Sequence, residues 1–111
     1  NILINLLEGD VRLISYTEKL LAVSFVTEIE LLGMPGITVA QQKRCSALLD
    51  DCLMISYTPE IKDIAINLRQ KRKLSLGDSL IAATGIEYKL PILTFDKGFT
   101  KIKGIDLVLL E

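Results

Sequence analysis

Apolar positions along this chain fall in short blocks whose spacing switches between the helical period and continuous buried runs. Leu3, Leu6 and Leu7 share one helical face, and Gly9 is a natural stop for that helix. A segment this apolar is normally covered by a preceding strand, so the first element is expected to be missing from this chain. A second short helix is expected from Val11 to Leu20. Leu21-Ala22-Val23-Ser24-Phe25-Val26 has the β-branched and aromatic content of a buried strand. Thr27 then opens a helix, with Glu30 in the capping-box position three residues on. Gly33-Met34-Pro35-Gly36 breaks it. Thr38 caps the next helix with Gln41 in the matching position, and Val39, Ala40, Cys45, Leu48, Leu49 and Cys52 mark its apolar positions.

Leu53-Met54-Ile55-Ser56-Tyr57 is a further strand. Thr58-Pro59 is a helix start, because proline suits the first helical position. Ile61, Ile64, Ala65 and Leu68 continue at helical spacing until a basic run, Arg69, Lys71, Arg72 and Lys73, closes the helix. Gly77-Asp78 begins a very apolar helix with Leu80, Ile81, Ala82, Ala83 and Ile86. Leu90 to Thr94 is a strand, followed by the turn Asp96-Lys97-Gly98, and Ile105 to Leu110 is the last strand. Short strands alternating with helices predict an α/β fold with a mostly parallel central sheet flanked by helices.

The length of 111 residues fits one domain spanning 1–111, and the half of the residues that are apolar suffice for a core. The net charge of −1 rules out non-specific attraction of nucleic acid by the chain as a whole, so any such chemistry must come from local charge or from metal ions. Histidine is absent, which removes the usual general base, the commonest zinc ligand and every Ser-His-Asp or Cys-His mechanism. Cys45 and Cys52, placed on one helix and separated by a rise of ~10 Å, are beyond disulfide reach. They are expected to be buried thiols in a reducing, cytoplasmic compartment. No apolar run is long enough to span a membrane.

Sites in parallel sheets lie at the carboxyl ends of the strands. Glu30 follows one strand, Asp96 follows another, and Asp78 opens a helix that can aim its first turn at the same edge. Singly, each has a structural explanation: a capping box, an N-cap and a turn residue. Together they form a set that suits a hard cation, Mg²⁺ or Mn²⁺, because clustered carboxylates repel unless a cation lies between them. Such ions clamp phosphate oxygens and activate water without needing histidine.

The same residues carry a family resemblance from end to end. Asn1-Ile2-Leu3-Ile4 resembles the residues just after the first catalytic aspartate in the Asp-Thr-Asn start of PIN domains. Ser24-Phe25-Val26-Thr27-Glu28-Ile29-Glu30-Leu31 resembles their second motif, which makes Glu30 the functional acid. Gly77-Asp78-Ser79-Leu80-Ile81-Ala82-Ala83-Thr84 resembles the third and is the most specific, with Asp78 as the acid. Pro91-Ile92-Leu93-Thr94-Phe95-Asp96-Lys97-Gly98-Phe99 resembles the fourth, with Asp96 as the acid and Thr94 as a nearby substrate-binding hydroxyl. The chain is most similar to VapC-type toxins of toxin–antitoxin pairs. The resemblance implies a three-layer fold, Mg²⁺- or Mn²⁺-dependent endoribonuclease activity on structured RNA, a homodimer, and a cognate antitoxin that blocks the acids.

Two departures stand out. The first aspartate, expected two residues before Asn1, does not stand among these residues, and the strand that would carry it is expected to precede them or to be lost. Its loss would remove a metal ligand and leave activity in doubt. Gly77 stands where proline is common. Glu28, about 200° around the helix from Glu30, is expected to be solvated. The basic run Arg69 to Lys73 either holds RNA phosphates or complements a helix C-terminus, and the second reading is the more ordinary. Tyr16, Tyr57 and Tyr88 can stack on bases, but so few aromatics are expected to be buried. Two other readings remain beside the nuclease: an impaired PIN-like module that binds RNA or an antitoxin without cutting, and an α/β interaction domain whose acids are structural.

Overall fold

The computed structural model describes residues 2–110. Asn1, the first residue of the stretch that resembles the family start, lies outside them, as does Glu111. The chain divides into two compact units, Asn1–Ser56 and Tyr57–Glu111.

The first unit begins with helix α1 (Ile2–Leu7), which buries Leu3, and a 3-10 helix (Val11–Tyr16) that is shorter than the helix expected there. Asp10 caps the 3-10 helix. Its two carboxylate oxygens accept from the Arg12 backbone N–H at 3.0 Å, from Nε at 3.0 Å and from Nη2 at 2.6 Å, and Asn5 Nδ2 donates to it at 3.1 Å. The Arg12 guanidinium therefore holds the Asp10 carboxyl far below the usual carboxylate range.

Strand β1 (Ala22–Ser24) is shorter than the run predicted for it, because Ser24 ends the strand and caps helix α2 (Phe25–Leu32). Its Oγ accepts from the Val26 N–H at 3.1 Å. The expected Thr27–Glu30 capping box is thus displaced by a cap three residues earlier, since Ser24 supplies an acceptor in extended backbone where Thr27 already lies within the helix. Helix α3 (Val39–Asp50) starts as predicted, with both bonds of the Thr38–Gln41 capping box formed. It ends before Cys52, so the two cysteines do not share a helix. Cys45 is buried, and Cys52 is half-buried just beyond α3 with its Sγ donating to the Leu48 carbonyl at 3.3 Å. Burial, with Asp51 beside it, pushes the Cys52 thiol up.

Strand β2 (Leu53–Ile55) returns parallel to β1, in the register Ala22↔Leu53, Val23↔Met54 and Ser24↔Ile55. Leu3, Val23, Leu31, Cys45 and Leu49 form the core that this strand pair and its helices enclose.

In the second unit, helix α4 (Pro59–Lys71) is capped by Thr58, whose Oγ1 accepts from the Ile61 N–H at 3.2 Å, and Pro59 occupies the first turn as predicted. It buries Ile61, Ala65 and Leu68, and packs extensively on helix α5 (Leu76–Tyr88). The buried face of α5 is small: Ser79, Ala82, Ala83, Thr84 and Gly85. Small side chains let backbones approach closely, and the two buried hydroxyls are satisfied within the helix. Ser79 donates to the Leu76 carbonyl at 2.6 Å and Thr84 to the Leu80 carbonyl at 2.7 Å. At Gly85 a Cβ would stand 2.9 Å from Cγ1 and Cδ1 of Ile92. Lys89 ends the helix in the left-handed region at φ 54°, and the Leu90 N–H closes onto the Gly85 carbonyl at 3.0 Å.

Strand β3 (Ile92–Thr94) pairs in parallel with β4 (Leu107–Leu109), in the register Ile92↔Leu107, Leu93↔Val108 and Thr94↔Leu109. A second 3-10 helix (Lys97–Lys101) lies between them and buries Phe99. The α/β class and the parallel pairing are as expected. The pairing takes the form of two two-stranded ladders, one in each unit. Among the described residues no helix is long and apolar enough to cross a membrane.

Candidate active site

Asp78 lies in the first turn of α5. It is not the N-cap: Ser75 holds that position, and its Oγ accepts from the Asp78 backbone N–H at 3.1 Å. The Asp78 side chain is therefore released from capping, in the turn where a helix dipole favours negative charge. The spacing Ser75-Leu76-Gly77-Asp78 is a variant of the capping pattern, so the cap at Ser75 is legible in the sequence, three residues ahead of the N-cap expected at Asp78.

Sixteen residues on, β3 delivers Thr94 to its carboxyl end and the chain turns. The Asp96 N–H donates to Thr94 Oγ1 at 3.0 Å, and Asp96 Oδ1 accepts from the Gly98 N–H at 2.7 Å. Thr94 thus sets the backbone that carries Asp96, while its own hydroxyl proton stays available to a ligand. Asp96 caps the second 3-10 helix through one oxygen and is exposed. A Cβ on Gly98 would approach Oδ1 to 3.0 Å, so this turn holds the carboxylate against a backbone with no side chain. Thr94 and Asp96 are joined by the bond from the Asp96 N–H to Thr94 Oγ1.

Glu30 belongs to the first unit. It lies in the last turns of α2 and is exposed, next to Ile29, which is 64% exposed. Glu28, expected to be solvated, is half-buried in the first turn of the same helix. Tyr57, in the loop between β2 and α4, and Tyr88, the last residue of α5, both expected to be buried, are 52% and 47% exposed. Lys19 lies over the Tyr16 ring at 5.5 Å.

Among the described residues no three Cys, Asp or Glu side chains stand close enough to hold a metal ion by themselves. The available donors are nonetheless hard carboxylate oxygens. Mg²⁺ keeps several waters and is commonly bound through one or two carboxylates together with substrate phosphates, so a complete protein cage is not needed for it. Asp78 and Asp96 have the donor chemistry that such an ion takes.

The family model described as the PIN domain matches residues 1–105. The chain belongs to the PIN-domain family. Glu30, Asp78, Thr94 and Asp96 all fall within the matched residues. The PIN fold is shared with a chain of a toxin–antitoxin complex from Klebsiella pneumoniae, at 29% identity and a TM-score of 0.80, over 97% of this chain and 91% of that one. A chain of VapBC2 from Rickettsia felis, solved with a DNA fragment from its promoter, matches at 18% identity and a TM-score of 0.76, over 94% of this chain and 84% of that one. A chain of VapBC-5, a toxin–antitoxin system from Mycobacterium tuberculosis, matches at 22% identity and a TM-score of 0.64, over 80% of this PIN domain and 81% of that chain. At these lower identities the last two attest to the PIN fold alone. Comparison with curated proteins returned no match.

Proposed function

We propose that this chain is the toxin of a toxin–antitoxin pair, a cytoplasmic endoribonuclease dependent on Mg²⁺ or Mn²⁺. The observation that carries this reading is the PIN-family match across residues 1–105, which includes all three candidate acids. Support comes from the likeness to a chain of the Klebsiella pneumoniae toxin–antitoxin complex over nearly the whole length. In this reading Glu30, Asp78 and Asp96 supply the carboxylates that hold the ion. A bound divalent cation stabilises charge on phosphate oxygens and makes a nucleophile available from water. Asp96 keeps its aim through the Gly98 N–H, and Thr94 fixes the turn beneath it while offering a hydroxyl to the substrate. Homodimerisation and capture by an antitoxin belong to the same reading.

The alternative reading is a PIN module that binds RNA or an antitoxin without cutting. One experiment separates the two. Protein extended upstream of Asn1 by an Asp-Thr start is assayed for cleavage of structured RNA with Mn²⁺, beside its Asp78→Asn variant. Asn keeps the shape and one oxygen donor but loses the charge that holds a hard cation, so cleavage should fall by ~100-fold or more. The capping bond comes from the Asp78 backbone and survives, so stability should fall by no more than the helix-dipole contribution, ~0.3–1 kcal/mol. Equal cleavage by both proteins, or cleavage in excess EDTA, would overturn the nuclease reading.

A further inference from the structure

The charge of this protein is unevenly divided. Residues 57–111 carry nine Lys and Arg against seven Asp and Glu, whereas residues 1–56 carry four against seven. Within the second unit the cations are grouped further. Arg69, Lys71 and Lys73 stand at the end of α4, and Lys97, Lys101 and Lys103 lie on and just after the second 3-10 helix. Arg72 joins the two groups: it ends α4, and its Nη1 donates to the Lys101 carbonyl. All six flanking cations are exposed, and among the described residues none takes part in an ion pair.

Helix-dipole compensation accounts for part of this pattern, since Arg69 and Lys71 occupy the last turn of α4. It does not account for Lys97, which comes directly after the N-cap Asp96, at the helix end where a positive charge is disfavoured. Nor does it explain why Arg72 ties the α4 terminus to the second basic stretch. Lys97 and Lys101 lie along a 3-10 helix whose N-cap is Asp96, and that helix rises ~2 Å per residue, so Lys101 is ~10 Å along the axis from the candidate acid.

We infer that Arg69, Lys71 and Lys73 with Lys97, Lys101 and Lys103 form one phosphate-binding track that leads an RNA backbone to Asp96. The inference rests on the nuclease reading for its choice of RNA. Positive charge with no acidic partner and no aromatic interleaving contacts phosphates and carries no base preference. The track therefore sets affinity and register, and it leaves the choice of cleavage site to other contacts.

The test is fluorescence anisotropy of the whole chain with a fluorescein-labelled single-stranded RNA in EDTA, titrated between 50 and 200 mM NaCl. Six phosphate contacts to unpaired strand correspond to a slope of log Kobs on log salt of about −4, a loss of roughly 250-fold over that range. Arg69→Gln/Lys73→Gln/Lys101→Gln should bring the slope to about −2 and the loss to roughly 16-fold, with melting temperature as the check on folding. Lys43→Gln/Arg44→Gln, on α3 of the first unit, should leave the slope unchanged. An unaltered slope in the triple variant overturns the track, as does binding of poly-glutamate by a chain that does not bind the RNA. Asp78→Asn keeps the track and should keep the slope. Salt-dependent binding lost in the triple variant, combined with cleavage indifferent to Asp78→Asn, would support the track while the nuclease reading fails. The two failures are therefore distinguishable.

Discussion

Substituting Ala for Gly85 sets two opposing effects against each other on the contact that fixes α5 against β3. Alanine is the better helix former by roughly 0.8–1.0 kcal/mol. Its Cβ, however, would meet Cγ1 and Cδ1 of Ile92 at 2.9 Å and the Leu90 carbonyl oxygen at 3.3 Å. Carbon atoms pack best at ~3.5–4.0 Å, so the contact is short by more than half an ångström. Ile92 is 7% exposed, which leaves its side chain little room to turn away. Overpacking of this kind costs roughly 1–3 kcal/mol. The net expectation is destabilisation of about 1 kcal/mol, or a drop of about 4 °C in Tm for a chain of this size. Ile92→Val removes Cδ1 and alone should cost roughly 0.5–1.5 kcal/mol. Combined, the two substitutions should cost about 0.5–1 kcal/mol less than their sum, because losing Cδ1 removes one of the two 2.9 Å contacts while Cγ1 remains. Urea denaturation of the four proteins measures the cycle. Stabilisation by Gly85→Ala, or energies that add within ~0.4 kcal/mol, would refute the reasoning. The outcome bears on the site, because α5 carries Asp78 and β3 leads into Thr94 and Asp96.

Other perturbations act on local geometry. Lys89 holds φ 54° at the end of α5, a conformation that glycine adopts without a Cβ penalty, so Lys89→Gly should raise stability by roughly 0.5–1 kcal/mol in thermal or urea melts. The Asp10 carboxyl is held below its unfolded range by Arg12, so its contribution is fully present above about pH 4 and is lost as pH falls further. Melting temperatures from pH 7 to 2 should therefore converge at the acid end for the wild-type protein and Asp10→Asn, and a constant difference would contradict the assignment.

Much of this architecture is written in short-range signals, and the departures share one physical origin. Thr38 with Gln41, and Thr58 before Pro59, are side chains that bond the backbone within a turn, so their sequence spacing determines the cap. The Asp96 turn is legible for the same reason, since Thr94, Asp96 and Gly98 act on one another across two residues. The boundary at Ser24 shows where this reasoning weakens. Phe25 and Val26 are apolar enough for a buried strand or a buried helix, and periodicity over so short a run cannot separate them. A single hydroxyl decided it, because Ser24 bonds the Val26 N–H and commits those residues to α2.

The Arg72 tie marks a further limit. Its acceptor is the backbone carbonyl of Lys101, a group every residue owns, reached across 29 positions of sequence. No composition, spacing or motif in either basic stretch announces that they meet. The run Arg69 to Lys73 therefore reads as an ordinary helix terminus until the chain is folded. Only then do its cations fall beside those that come after Asp96. The candidate acids could be named from sequence because chemistry restricts which residue types can hold a hard cation. The track that would serve them could not be named, because any lysine can meet a phosphate, and only the fold decides which ones stand together.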